Sequence, residues 1–331
     1  MLTHRQRIEA CITGKTLDRP PVALWRHFPV DDQHPETLAA ATLHWQKMYD
    51  WDLVKVTPAS SFCLKDWGAE DEWKSDAEGT RRYTHRVISA PEDWSLLPIL
   101  DADTLLPPAG AHLAAHLKCL SLIRQELPPE TPMIQTVFSP LAQAKNLLGG
   151  DKLIRHIRQH PEMLKRGLEV IAETTRRFIV TTLNTGIDGI FFAVQHAQTG
   201  LLTEAEFFEF GRSFDLPVLE ATTSLWLNML HLHGEGVYFD AVADYPVQII
   251  NWHDRDTPPS LADGLTRFQG AVCGGISRDT MVYGDAEMVA AEAADAIKYT
   301  NGRRFLLGTG CVVPVVASHG NILAARKSVE K

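Results

Sequence analysis

Eight short apolar runs, most of them followed by a stretch with helical spacing, leave this chain few folds to choose from. They cover residues 20–27, 51–58, 132–140, 186–195, 226–234, 247–254, 271–277 and 304–311. Most are apolar at nearly every position and end in polar residues or glycine. A strand with one wet face alternates; a continuous apolar run belongs to a strand covered on both sides. The helical stretches carry their own punctuation. Residues 36–49 follow Pro35, which suits a first helical turn. Residues 161–184 place Met163, Leu164, Leu168, Ile171, Phe178, Ile179 and Leu183 near a helical period. Thr203 and Glu206 form a capping-box pattern opening a helix over 204–225. Asp285 and Ser318 are good caps for helices over 285–299 and 318–328.

Strands alternating with helices predict an α/β chain folded as a (β/α)8 TIM barrel, one domain over residues 1–331. The segment 59–131 is too long for a single helical crossover. It reads as an insertion after strand 2, with a β-hairpin turning at Glu78-Gly79 and a helix near 109–126. An open doubly wound sheet is the other architecture, but no glycine-rich fingerprint follows the first run.

Composition narrows the partners. Of 331 residues, 45% are hydrophobic and 22% charged, an ordinary globular balance. A net charge of −9 repels phosphate backbones, so no nucleic-acid partner is expected. No apolar run approaches the roughly 18–20 residues of a membrane span, and the first residues lack a signal-like apolar stretch. The expected location is cytoplasmic. Cys11, Cys63, Cys119, Cys273 and Cys311 are odd in number and widely spread, which argues against a disulfide framework.

In such barrels the chemistry sits where strands end. The first run ends in Arg26-His27, the fourth in Gln195-His196, the fifth in His231 and His233, the sixth in His253-Asp254, the eighth in Cys311. His231 and His233 alternate, so both side chains face one side of their strand. Two imidazoles and a thiolate converging in a barrel mouth would suit Zn2+ with a fourth position open. Taken singly, a strand-end histidine is more often a hydrogen-bonded core residue, and a cysteine after Gly-Thr-Gly is just small. Convergence is what favours the metal reading. Arg26 and His27 could hold an anionic group, and Gln195 and His196 could line a ligand. His253 could act as a base, although adjacent Asp254 should point the opposite way along a strand.

These residues also resemble a known family, the uroporphyrinogen decarboxylase superfamily, over essentially the whole chain. The resemblance rests on RQRIEACITGKTLDRPPVALW, FSPLAQAKNLLGG, TGIDGIFFAVQHAQTGLLTEAEFFEFGRSFDLPVLEA, LHLHG and LLGTGCVVPVVASHGNILA. It implies a (β/α)8 barrel and one of two chemistries. True uroporphyrinogen decarboxylases carry an Arg-rich stretch after the first strand, where this chain has one arginine in LWRHFPVDDQ. They carry an aspartate after the second strand, where this chain reads VKVTPASSF, and a histidine in the last loop, where it has Cys311. The corrinoid-linked methyltransferases of the family look closer. Those with thiol acceptors bind zinc through His-x-Cys on strand five and a cysteine in the last loop. His231 and Cys311 match that pattern, while His233 stands at the place of the first cysteine. The substitution makes the site one unit less negative and a stronger Lewis acid. The resemblance thus implies a zinc-dependent methyltransferase that works with a corrinoid protein and a thiol or a methoxy or methylated small molecule, in a chain that can form a homodimer. The alternatives are a uroporphyrinogen decarboxylase of tetrapyrrole biosynthesis and a barrel that merely binds a tetrapyrrole or corrinoid.

Overall fold

The structure is a computed structural model that describes residues 1–101 and 111–330. Its main sheet has seven parallel strands in the order β1 (Val54–Val56), β4 (Met133–Phe138), β5 (Gly189–Val194), β6 (Met229–Leu232), β7 (Ile249–Trp252), β8 (Ala271–Ile276) and β9 (Phe305–Thr309). Between β1 and β4 lies a small antiparallel pair, β2 (Glu70–Glu72) and β3 (Arg82–His85). The sheet curls, with helices packed outside it, into a TIM-barrel-like α/β fold. No described helix is long and apolar enough to cross a membrane.

The curl follows from period-two alternation. On β5, Ile190, Phe192 and Val194 pack outward into the large cluster shared with the helices, whereas Phe191 and Ala193 belong to a second cluster inside the curl. The same split puts Leu230, Ile250, Val272 and Phe305 outside and Met229, Ile249, Ala271 and Leu306 inside. Each strand is therefore apolar on both faces, which is why the runs look continuous in sequence.

The first run differs from expectation. Of residues 20–27 only Val22 forms a bridge, to Leu307. The segment nonetheless lies along β9, with Ala23 N–H donating to Leu307 O at 3.0 Å and Leu307 N–H to Pro21 O at 2.9 Å. Asp52 N–H donates to Val22 O at 3.0 Å on the other side. Pro20 and Pro21 carry no N–H, so the ladder cannot be completed.

Most helices sit where expected: Pro35–Tyr49, Pro161–Thr182, Ala286–Thr300 behind Asp285, and His319–Lys327 behind Ser318. The helix near 109–126 is described over Ala111–Glu126; its first expected residues lie outside the described ones. The helix expected over 204–225 is interrupted. It runs Glu204–Phe207, passes through a π-helical turn at Phe208–Arg212 and ends at Glu220, with Pro217 inside its last segment. Proline removes an N–H from the ladder, so the segment cannot continue unbroken as the periodicity implied.

Acid should weaken this fold in a defined window. His116 is buried against Phe62 and Phe178, with ring centroids 4.7 and 6.1 Å away. Burial pulls its pKa from the ordinary 6.5 down to about 4. Below pH 6.5 the unfolded chain takes up a proton that the folded chain refuses until about pH 4. Stability contributed by neutral His116 is thus full above that window and lost on acidification through it. Denaturant midpoints measured from pH 7 to 4 should fall, and His116→Phe should flatten the fall by up to about 1 kcal/mol per pH unit.

Candidate metal centre in the barrel mouth

The inner columns are greasy at the base and polar at the top. β6 presents Met229, then His231, then His233 just past its end; β7 presents Ile249, Asn251 and then His253. The β6–β7 register pairs His231 with Asn251 and Leu232 with Trp252, which brings His233 level with His253. Cys311 arrives from the loop after β9. It gets there because Gly310 has no side chain: a Cβ would lie 2.6 Å from the Cα of His253 and 2.8 Å from Trp252 O.

One donor atom each from His231, His233, His253 and Cys311 lies within 4.8 Å of all the others. Cys311 Sγ is 3.8 Å from His233 Nδ1. The ring centroids of His231 and His233 are 5.8 Å apart, and those of His233 and His253 are 5.2 Å apart. The Nε2 atoms of His231 and His253 are buried without a hydrogen-bond partner. Buried polar atoms rarely stay unpaired, so both call for a ligand.

The tautomer of His231 can be derived. Asn251 Nδ2 donates to the carbonyls of Cys273 and Thr309, both at 3.0 Å. This fixes the amide with Oδ1 facing His231 Nδ1 at 2.7 Å. Amide oxygen only accepts, so Nδ1 carries the proton and Nε2 keeps its lone pair for a metal. Behind the ring, Phe191 stacks at 5.2 Å and 22°.

Charge is organised around the thiol. Burial alone would raise the Cys311 pKa, but His231, His233 and His253 outweigh it and bring it well below the ordinary value. Burial lowers His253, yet the influence of the neighbouring Cys311 thiolate as a whole prevails and raises it. His231 is lowered, chiefly by burial. A thiolate and, at His231, a neutral imidazole are the protonation states a metal requires.

The remaining expected residues occupy different places. His27 is buried near Lys55, and burial first, then that lysine, lowers its pKa to about 4. His196 is buried between Lys145 and His233, and burial first, then those two groups, lowers it to about 3. Gln195 accepts from Lys145 Nζ at 2.9 Å. Arg26 is not brought to the donors: its guanidinium lies 5.3 Å from both the Phe28 and the Trp45 ring centroids, with Nη1 3.4 Å from Val315 O. His253 stands closer to the cluster than its assignment as a base assumed. Its Nδ1 lies 3.5 Å from Asp256, while adjacent Asp254 turns away to the N–H of Gly275 at 3.1 Å.

Two inward residues were missed. Asn251 orients His231. Lys55 projects into the curl over Phe191, with Nζ 4.4 Å from the ring centroid, and burial lowers its pKa to about 7. Both were legible by counting in twos, Asn251 from Ile249 and Lys55 from Leu53.

Comparison with known proteins places the chain. The family model described as Uroporphyrinogen decarboxylase (URO-D) matches residues 3–331. The chain belongs to the uroporphyrinogen decarboxylase family. A relative within reach of sequence is "Methylcobamide:CoM methyltransferase MtaA" of Methanosarcina barkeri, 20% identical over 97% of this chain and 96% of that one. Among solved structures, a methyltransferase from Methanosarcina mazei superposes with a TM-score of 0.80 at 18% identity, covering 99% of each chain. A B12-independent methionine synthase from Shewanella sp. W3-18-1 superposes at 0.61 with 15% identity, covering 96% of each. These relatives fit the methyltransferase branch of the family.

Because Gly310 seats Cys311, Gly310→Ala should displace the thiol. In chelator-treated wild type, thiolate absorbance near 240 nm should persist well below the ordinary cysteine pKa and vanish in Cys311→Ser. In Gly310→Ala its midpoint should move up towards the free-thiol value of about 8.5.

Proposed function

We propose that the protein is a zinc-dependent methyltransferase moving a methyl group between a corrinoid protein and a thiol or a methoxy or methylated small molecule. The observation that carries the reading is the convergence of three imidazoles and one thiol within 4.8 Å, with two buried Nε2 atoms unpaired. The scaffold in this reading is a closed (β/α)8 barrel, with residues 20–27 as its first stave and 59–131 as an insertion. Zinc would sit on His231, His233 and Cys311. When bound there it supplies Lewis acidity, activating a thiol or polarising a methoxy oxygen.

The chain's own residues do the rest. Asn251 and Phe191 fix the orientation of His231. His253, whose Nδ1 lies 3.5 Å from Asp256, would be the donor able to give way to a substrate atom. His27, Gln195 and His196 line the substrate space at the rim, and Arg26 braces it from the side. His27 and His196, held neutral by burial, offer hydrogen bonds without adding charge. The name of the Methanosarcina barkeri relative supports a methylcobamide as methyl carrier. The decarboxylase alternative would leave the donor cluster without a task.

Metal analysis of the purified protein should give about one zinc per chain. His231→Ala and Cys311→Ser should lose it, together with methyl transfer from methylcobalamin to a thiol by about a hundredfold or more. His253→Ala should keep the metal. A metal-free wild type with unchanged variants contradicts the proposal.

A further inference from the structure

Lys145 and Arg86 stand close together at the rim, and the structure gives neither a carboxylate partner among the described residues. Lys145 lies in the last turn of the helix Pro140–Leu148. Its ammonium donates to Gln195 Oε1 at 2.9 Å. That leaves two of its three N–H groups for something else. Arg86 reaches over from just beyond β3. One N–H caps the carbonyl of Asn146, and the guanidinium lies 4.7 Å from the centroid of the Tyr83 ring. Most of its five donors are uncommitted. Both side chains are half-buried, and each carries its charge within range of the other.

Two neighbouring cations withdrawn from water without a counter-charge are costly. The surroundings do not relieve the cost. His196, 2% exposed, lies against Lys145 and is held neutral, with its Nδ1 buried and unpaired. The Tyr83 hydroxyl is also buried and unpaired. Lys145, Arg86, Gln195 and His196 thus lie together at the rim. That place is one strand away from the donors: Gln195 follows β5 where His233 follows β6, and Gln198 Nε2 ties Gln195 O (2.7 Å) to His233 O (3.1 Å).

We propose that Lys145 and Arg86, backed by Gln195 and His196, form a subsite for the carboxylate of a small-molecule substrate whose methyl-bearing atom reaches the His–Cys donors. Lys145 supplies a point charge with two free N–H groups. Arg86 supplies a planar fork that matches two carboxylate oxygens. The substrate class rests on the methyltransferase reading; the anion subsite does not.

The test is calorimetric titration at constant ionic strength with acetate, benzoate, methanesulfonate and neutral acetamide. The carboxylates should bind wild type and acetamide should not. Lys145→Met should weaken carboxylate binding about tenfold or more, Lys145→Arg should restore part of it, and the surface variant Lys165→Met should leave it unchanged. Thermal midpoints report whether each variant is folded, and Arg86→Gln gives a second variant of the same site. Absent carboxylate binding, or binding untouched in folded Lys145→Met and Arg86→Gln, overturns the subsite. Methanesulfonate binding in preference to both carboxylates overturns the carboxylate assignment. Cys311→Ser, which should lose zinc, should still bind the carboxylates. Carboxylate binding by a wild type found to hold no zinc keeps the subsite and sinks the methyltransferase reading. Zinc and methyl transfer without carboxylate binding does the reverse.

Discussion

Everything at the mouth depends on the two-residue repeat of parallel strands curled about an axis. A curl that buries both strand faces must fill its inside with every second residue. The inner columns here begin with Leu53, Ile134, Phe191, Met229, Ile249, Ala271 and Leu306. One or two steps on, the apolar filling gives way to Lys55, His231, Asn251, His233 and His253. The donors are therefore anchored by the same register that packs the core. A slip of one residue on β6 would send both histidines into the helices.

The second organising element is the thiol. A single Cys311 thiolate among three imidazoles sets the protonation of its neighbours, and they in turn keep it ionised against burial. Nearby cations are kept weak by burial. The pKa of Lys55 falls to about 7, and that of Lys145 to about 8, with Arg86 adding to the effect of burial. Cations thus stand at the rim and the thiol at the centre, a polarity that suits the anionic substrate proposed above.

Much of this was legible in the sequence, for physical reasons that differ by element. Seven of the eight runs became strands because their continuous apolar character has no other stable use. The first run lacked the N–H groups of Pro20 and Pro21 and formed a single bridge instead. The 204–225 helix carried a sound capping box at Thr203, but Pro217 and the π turn cut it in ways periodicity cannot register. The gathering of His231, His233 and Cys311 could be anticipated from strand ends. The place of His253 could not, because it depends on the β6–β7 register. That the Arg26 guanidinium lies on the Phe28 and Trp45 rings could not be anticipated, because local sequence does not say which way a guanidinium turns. Lys145 and Arg86 escaped notice because a helix and a hairpin 59 positions apart meet only in three dimensions.

X-ray absorption at the zinc edge of the purified, unreconstituted protein tests the central claim most directly. The account predicts a first shell of one sulfur at about 2.3 Å and two or three imidazole nitrogens at about 2.0–2.1 Å, with the sulfur lost in Cys311→Ser. A shell without sulfur, a shell with two or more sulfurs, or a spectrum unchanged in Cys311→Ser would contradict it.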